Sequence, residues 1–221
     1  MIIAVDGPAG SGKGTVTKMI ERKLGFLNLD TGATYRCVAL ATLKNNVKLD
    51  ETEKIIKIAN EINIEIVNEK EKDTILLNGE DVTKEIRSKE VTGIVSQISS
   101  IIPVREKMVE VQRKLATGKN VIVEGRDIGT VVFPNADLKI YLDASEEIRA
   151  KRRYKENIEK GINTTYEEVL ENVKFRDYND KNKKVGALKK ADDAIVIDSS
   201  EMSIEQVVER IEELMRQVGQ T

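Results

Sequence analysis

Short aliphatic runs alternate along this chain with stretches in which apolar residues recur at helical spacing. Short strands are predicted at Ile2–Val5 and 26–30, and at three further runs, Val121–Val123, Leu138–Leu142 and Ala194–Ile197. The last three are short, β-branched runs, as expected for parallel strands that are covered on both faces. Helical spacing covers 13–24, and a second helix is predicted over 33–45. The alternation of strands and helices predicts a three-layer α/β fold.

Several residues mark the ends of the predicted helices. Gly25 is suited to end the first helix, and Pro103 is suited to the first turn of a helix that continues to Lys114. Two capping boxes are predicted, Thr164 with Glu167 and Ser203 with Gln206.

Residues 61–83 have a different pattern, in which apolar and polar residues alternate. A charged turn from Glu69 to Asp73 separates two such runs, and Asn78-Gly79 is a strong hairpin signal. The segment is therefore predicted to be a small antiparallel β insertion that packs on one face only.

Composition excludes several classes of protein. The chain has 221 residues, no histidine and one cysteine, Cys37, so a Ser-His-Asp triad, a histidine metal ligand and an internal disulfide are ruled out. The net charge of −2 gives no electrostatic case for binding nucleic acid or a membrane surface. No targeting or membrane-spanning segment is apparent, and we expect a monomeric, cytoplasmic protein.

A glycine-rich loop lies between the first predicted strand and the first predicted helix. Gly7-Pro8-Ala9-Gly10-Ser11-Gly12-Lys13 fits the phosphate-loop pattern G-x-x-x-x-G-K in the context that this motif requires. Its backbone N–H groups, the helix N-terminus and the lysine charge would all favour phosphate. The alternative is an ordinary glycine-rich turn.

The residue after the lysine departs from the usual phosphate-loop pattern. It is Gly14, and the hydroxyl comes one position later, at Thr15. We therefore expect Mg²⁺ to be held by nucleotide phosphates and water rather than directly by the protein. The D-x-x-G and N-K-x-D patterns of switch GTPases are absent.

Two other segments follow predicted strands and carry arginine. The run Glu124-Gly125-Arg126-Asp127-Ile128-Gly129-Thr130 lies at the carboxyl end of a strand, where open α/β sheets bind ligands. Arg126 could hold a phosphate and Asp127 a base or sugar, or the two could brace a turn as an internal pair. The segment Asp30–Arg36 follows the second predicted strand and can begin a helix, with Arg36 one turn in. The alternative to a binding role is a helix cap with a surface arginine.

Charged residues also share faces of two later helices. Arg149, Arg152 and Arg153 have i, i+3, i+4 spacing, which suits either a lid over the phosphates or a solvated face paired with Glu146 and Glu147. Arg176, Asp180 and Lys183 follow one face of the next helix, where an ordinary salt bridge is the alternative.

Taken together, these motifs resemble the bacterial cytidylate (CMP) kinase family over nearly the whole chain. The resemblance rests on 7–15, 30–36, 124–134 and Ala191-Asp192-Asp193-Ala194. It implies a P-loop kinase core with a five-stranded parallel sheet, at about 1–37 and 101–221. It also implies a monophosphate-binding insertion at about 38–100, which contains the β insertion, and a short helical lid at about 149–165.

The resemblance also implies roles for individual residues. The ATP-binding set is Gly7, Pro8, Ala9, Gly10, Ser11, Gly12, Lys13, Gly14 and Thr15. The CMP-binding set is Thr31, Tyr35, Arg36, Ser96, Arg105, Gly125, Arg126, Asp127, Asp180 and Lys183. The catalytic set is Lys13, Arg126, Arg152, Arg153 and Arg176.

Within the CMP-binding set, the resemblance gives each residue a partner on the nucleotide. Arg36 and Arg126 match the arginines for the phosphate, and Asp180 the carboxylate for the ribose. Ser96, Arg105 and Asp127 match positions of the base pocket. Lys183 lies where many family members have arginine, so a point charge replaces a bidentate fork.

The implied activity is phosphoryl transfer from Mg·ATP to CMP, and to dCMP as a second acceptor. A kinase acting on UMP or AMP is one alternative. An ATP-binding switch that transfers no phosphoryl group to a small molecule is another.

Overall fold

The elements alternate between strand and helix in a computed structural model that describes residues 1–69 and 72–219. The strands are β1 (Ile2–Asp6), β2 (Leu27–Asp30), β3 (Ile64–Glu69), β4 (Lys72–Leu77), β5 (Glu80–Asp81), β6 (Val121–Gly125), β7 (Leu138–Asp143) and β8 (Ile195–Asp198). The helices are α1 (Lys13–Leu24), α2 (Thr31–Lys44), α3 (Thr52–Glu61), α4 (Lys89–Ile98), α5 (Ile102–Ala116), α6 (Glu146–Glu159), α7 (Tyr166–Asn182) and α8 (Ile204–Val218).

Five of the strands form a parallel sheet in the order β2-β6-β1-β7-β8. Ile3 of β1 lies opposite Leu138 of β7, and Ile140 of β7 lies opposite Ile195 of β8. Successive residues of a strand point to opposite faces. Because β1 is buried at consecutive positions from Ile3 onward, both of its faces are covered. The predicted α/β fold with a five-stranded parallel sheet is confirmed.

The chain divides into two compact units, which are described separately. The first comprises Met1–Gly25 and Ile122–Thr221, and the second is Phe26–Val121. The second unit has a hydrophobic core of its own, in which Ile55, Ile86 and Met108 are fully buried. The predicted division into core, monophosphate-binding insertion and lid concerns function rather than compactness, and it stays a prediction.

The predicted β insertion is present in the second unit as the antiparallel sheet β3-β4-β5. Asn78 and Gly79 both have positive φ, at 52° and 85°, as a tight hairpin turn between β4 and β5 requires. Ile64 and Ile75 are buried, whereas Glu65 is exposed, so the sheet packs on one face. The predicted charged turn includes residues 70 and 71, which lie outside the described residues.

Most predicted helix ends are confirmed, and one capping box is wrong by one residue. Helix α1 ends at Gly25 and α5 has proline in its first turn. Ser203 caps α8 with Gln206 as predicted. The capping box of α7 is formed by Thr165 and Glu168, not by Thr164 and Glu167. The Thr164 hydroxyl donates to the Glu168 carboxylate instead, at 3.1 Å.

Within residues 1–69 and 72–219, no helix is long and apolar enough to cross a lipid bilayer.

Candidate active site

The glycine-rich loop joins β1 to α1, and its glycines are required by the space and backbone geometry. A methyl group on Gly7 would lie 2.1 Å from the carbonyl oxygen of Leu142, so no larger residue fits. Gly12 has φ of 93° and precedes α1, whose first turn has no side-chain cap and no acidic residue. The first N–H groups of this helix are therefore available to an anion.

Lys13 is buried beneath this loop rather than extended into solvent. Its Nζ donates to the carbonyl oxygens of Gly7 and Pro8, both at 2.8 Å. Burial, followed by the positive charge of Arg126, lowers the pKa of Lys13 to about 7. A bound phosphate would supply the negative charge that this ammonium group lacks.

The loop is braced by a buried ion pair that the sequence did not reveal. Arg149 of α6 donates to the carbonyl oxygens of Ala9, at 3.1 Å, and Ala144, at 2.9 Å. Its guanidinium also forms a bidentate pair with Asp177 of α7. The partners proposed from the sequence, Glu146 and Glu147, are therefore wrong for Arg149, and this arginine holds the loop in place.

We expect Arg149→Ala to lower the free energy of unfolding by about 3 kcal/mol, because it leaves Asp177 as a buried, unpaired charge. Urea unfolding measures this loss. The matched control is Arg153→Ala, which removes an exposed pair and should cost about 0.5 kcal/mol or less. Equal losses in the two variants would contradict the bracing role.

The two arginines that follow on α6 lie in different surroundings. Arg152 donates to the carbonyl oxygen of Ser199, at 2.6 Å, and to its hydroxyl, at 3.2 Å. Its Nη1 lies 4.0 Å from the point that a methyl group on Gly12 would occupy, so it lies beside the phosphate loop. The side chain of Arg153 is 58% exposed and pairs with Glu156. The predicted shared face is thus divided between a loop-side arginine and a solvent-side arginine.

Arg126 lies at the end of β6 and pairs with Asp180 of α7. Its Nε donates to the carboxylate at 2.7 Å, and its Nη1 donates to the carbonyl oxygen of Gly125 at 3.3 Å. Lys183 lies 3.7 Å from the other carboxylate oxygen. Burial raises the pKa of Asp180, but the charges of Arg126 and Lys183 outweigh it and hold this pKa below its ordinary value.

The Arg126–Asp180 pair joins two segments that the sequence did not connect, where it had suggested an Arg126–Asp127 pair and an ordinary salt bridge along α7. Arg126 contacts Asp180, and its neighbour Asp127 is buried at the start of the following turn. Asp180 pairs with Arg126 across the fold, while the exposed Arg176 adds positive charge to the surroundings of Asp180 and Lys13.

Asp6, the last residue of β1, is a buried carboxylate that the sequence did not single out. Its two oxygens accept from the N–H groups of Ile128 and Gly129, each at 2.8 Å. Burial is the largest influence on this group and raises its pKa to about 6. No local pattern could have indicated it, because its partners lie more than 120 residues away.

In the second unit, two pairs of candidate residues lie near the start of α2 and along α5. Arg36 forms an ion pair with Asp30 at 2.5 Å. Any side chain larger than glycine at Gly32 would crowd this pair, since a methyl group there would lie 2.9 Å from the guanidinium. The guanidinium carbon of Arg105 lies 5.5 Å from the ring centre of Tyr35, which is a cation–π contact.

The other two candidates of this unit are not part of those pairs. Thr31 is buried as the first residue of α2, and its carbonyl oxygen accepts from the hydroxyl of Thr34. Ser96 is exposed on α4. A buried hydrogen bond from Gln112 to Thr34, at 2.8 Å, also supports α2 and was not predicted.

The donor groups fit a magnesium ion held mainly by its nucleotide. The described residues contain no cluster of three or more acidic or cysteine side chains that could hold a metal. Thr15 is exposed in the first turn of α1. The Glu124 carboxylate lies beside Gly14, since a methyl group on Gly14 would be 3.2 Å from Glu124 Oε1. Mg²⁺ usually keeps several waters and binds substrate phosphates, and this arrangement is compatible with that.

The strand–loop–helix unit with its lysine, set in a parallel sheet, defines the P-loop class of nucleotide-binding proteins. Within the first unit, arginines follow the carboxyl ends of the strands beside this loop, as phosphoryl transfer requires. A family model described as Cytidylate kinase matches residues 3–217. The chain belongs to the cytidylate kinase family.

Individual relatives agree with this assignment over nearly the full chain. The cytidylate kinase of Caldicellulosiruptor saccharolyticus is 46% identical over 216 residues, which cover 98% of this chain and 96% of the relative. That of Fusobacterium nucleatum subsp. nucleatum is 46% identical over 218 residues, covering 99% and 98%. The crystal structure of an uncharacterized protein from Eubacterium ventriosum shares the fold, with a TM-score of 0.54, 13% identity and 98% coverage of both chains.

Proposed function

We propose that this protein transfers the γ-phosphoryl group of Mg·ATP to CMP, which gives CDP and ADP, and that it also accepts dCMP. The observation that carries the proposal is the match of the cytidylate kinase family to residues 3–217, in a chain that has the phosphate loop and the arginine-bearing strand end such a reaction needs.

The chemistry suits a site without histidine. The acceptor is already an anionic phosphate oxygen, so no general base is needed, and catalysis consists of alignment and charge neutralisation. Holding the two anions in line can lower the barrier by about 7 to 11 kcal/mol. When bound, Mg²⁺ would neutralise charge on the ATP phosphates, and the exposed Thr15 and the carboxylate of Glu124 would be the groups of this chain that hold its water ligands.

On the donor side, residues 7–15 would bind the ATP phosphates. The N–H groups that open α1 would donate to phosphate oxygens, and Lys13 would exchange its two carbonyl partners for phosphate oxygens. Arg149 would keep the carbonyl of Ala9 turned away from the phosphates, because it holds that oxygen in a hydrogen bond.

On the acceptor side, Arg126 and Arg36 would bind the CMP phosphate, and both are paired with carboxylates in the described state. Asp180, with Lys183 and Arg176, would bind the ribose. Asp127, Gly125, Thr31, Tyr35, Ser96 and Arg105 complete the proposed set for the nucleotide.

Cytosine offers one amino donor and two acceptors, which carboxylate, hydroxyl and guanidinium groups can match. Uracil would leave buried polar groups unpaired, and such mismatches discriminate strongly.

We propose that Arg152, rather than Arg153, contacts the transferred phosphoryl group, because Arg152 lies beside the phosphate loop whereas Arg153 faces solvent. Arg152→Ala should lower kcat about 100-fold, since one charged donor to the transition state is lost. The matched variant Arg153→Ala should change kcat less than about threefold. Steady-state rates measure both, and a larger effect from Arg153→Ala would reverse the assignment.

Location and assembly are also part of the proposal. We propose a cytoplasmic monomer. The buried, unpaired Cys37 suits a reducing compartment.

A coupled assay of ADP release against CMP, dCMP, UMP and AMP tests the proposed substrate. We expect CMP and dCMP to be used faster than the other two. Faster turnover of AMP or UMP would assign the protein to another monophosphate kinase, and slow hydrolysis unaffected by any monophosphate would indicate an ATP-binding switch.

A further inference from the structure

Asp6 immediately precedes the phosphate loop, but its carboxylate is used by a different segment. The two oxygens accept separately from the N–H groups of Ile128 and Gly129, each at 2.8 Å. These residues open a single π-helical turn, Ile128–Val132, that follows Arg126 and Asp127 directly. Asp127, the N-cap residue that precedes the turn, makes no side-chain capping hydrogen bond to it. Asp6 supplies the acceptors that the first N–H groups of a helical turn need.

We propose that Asp6 is a positioning residue for CMP: by fixing the backbone of Ile128 and Gly129, it sets the side chains of Arg126 and Asp127 for substrate. The proposal rests on the proposed function, because it assumes that these two residues bind CMP.

Other contacts hold the same segment on its remaining sides. The carbonyl oxygen of Arg126 accepts from the N–H of Lys189 at 3.2 Å. Gly129 lies close to the Lys139 side chain: a methyl group on Gly129 would be 3.1 Å from the aliphatic Cδ of Lys139. The Nζ of Lys139 in turn pairs with Asp193 at 2.8 Å. These contacts hold the turn on several sides, and Asp6 supplies the acceptors for its first two N–H groups.

This placement also joins the two substrates through one residue. Asp6 is bonded in sequence to Gly7, the first residue of the phosphate loop, where a methyl group would lie 2.1 Å from the carbonyl oxygen of Leu142. The strand end that carries the donor loop is thus hydrogen-bonded to the turn that carries the acceptor residues. A change in the Asp6 carboxyl group should affect CMP more strongly than ATP, because its hydrogen bonds go to the acceptor side, whereas Lys13 on the donor side interacts with it through charge alone.

The charge state of Asp6 should be measurable in the ordinary assay range. Burial raises its pKa to about 6, the two backbone hydrogen bonds lower it, Asp127 raises it, and Lys13 lowers it. Tyr141 of β7 also interacts with the Asp6 charge. Protonation would turn one accepting oxygen into a donor that faces an N–H group, so the turn should loosen as the pH falls below about 6.

The first experiment measures CMP and ATP binding separately by calorimetry, in the Asp6→Asn variant of the full chain. We expect the Kd for CMP to rise about 10- to 100-fold, since one buried N–H loses its acceptor, and the Kd for ATP to change less than about threefold. The control is Asp143→Asn, at the end of β7, whose carboxylate accepts only from the next residue, Ala144, among the contacts described. Its CMP affinity should stay within about twofold of the unchanged protein.

A second measurement needs no variant and no nucleotide. In the ¹⁵N-labelled protein, the amide signals of Ile128 and Gly129 should both shift with a midpoint near pH 6, the pKa of Asp6. In Asp6→Asn these shifts should vanish, and intact mass should be verified first because asparagine before Gly7 can deamidate.

Unchanged CMP affinity in Asp6→Asn, equal losses for CMP and ATP, or amide signals of Ile128 and Gly129 that show no titration dependent on Asp6 would each overturn the positioning role. A protein that phosphorylates CMP normally but fails these tests would retain the proposed function. A protein that never phosphorylates CMP would lose the proposed function first.

Discussion

Replacing Arg126 by alanine is expected to lower kcat/KM for CMP about 1,000-fold while the affinity for ATP stays nearly unchanged. The guanidinium would make charge-assisted hydrogen bonds to a phosphate, and removing a bidentate pair of them costs about 4 kcal/mol, a factor of about 1,000. Steady-state kinetics with CMP varied at saturating ATP, together with ATP binding alone, gives both numbers. An equal loss of ATP affinity would mean that Arg126 serves the donor.

The control for this result must account for Asp180, because Arg126 pairs with it at 2.7 Å. Arg126→Ala leaves the buried Asp180 carboxylate with the more distant Lys183, at 3.7 Å, as its described ion-pair partner, and the less compensated charge alone could repel the CMP phosphate. Asp180→Asn separates the effects, since it removes this charge while keeping the guanidinium. If Arg126→Ala/Asp180→Asn recovered most of the activity lost in Arg126→Ala, repulsion rather than a missing phosphate contact would be the cause.

Lys13→Met should lower kcat about 1,000-fold, because the variant keeps the length of the side chain but loses the charge beside the transferred phosphoryl group. The larger part of the effect should appear in kcat rather than in the KM for CMP. Circular dichroism and thermal unfolding should match the unchanged protein. A fall confined to the KM for CMP would contradict the donor-side role.

The depressed pKa of Lys13 gives this residue a signature in ATP binding. In the protein without nucleotide, Lys13 has a pKa of about 7, so its amino group is charged below this pH and increasingly neutral above it. ATP favours the charged form, so binding above pH 7 must take up a proton, and the Kd for ATP should rise as the pH increases from 7 to 9. Calorimetry in buffers of different ionisation enthalpy measures this uptake, and Lys13→Met should abolish it.

The features that depend on neighbouring residues were predictable from the sequence. The phosphate loop, the helix stop at Gly25 and the Asn78-Gly79 turn each need a particular backbone conformation that few residues adopt, so their identity carries the information. The α7 capping box shows the limit of this reasoning. Both Thr164 and Thr165 have glutamate three residues later, and only the hydrogen-bond geometry selects Thr165.

The pairings within the candidate site were not predictable, because they join residues far apart in sequence. Arg149 and Asp177 are 28 residues apart, and Asp6 and Ile128 are 122 apart. Helical spacing placed Arg149, Arg152 and Arg153 on one face, but it could not show that Arg149 lies under the loop and Arg153 in solvent. A local pattern fixes the direction of a side chain on its helix, and tertiary packing decides what it contacts.

The phosphoryl acceptor can be identified by following the γ-phosphoryl group of labelled ATP in the presence of equal concentrations of CMP, dCMP, UMP and AMP with Mg²⁺. We expect the label to appear first in CDP and dCDP, in amounts that match the ADP formed. Label that accumulates in ADP or UDP ahead of CDP, or only in inorganic phosphate, would contradict it.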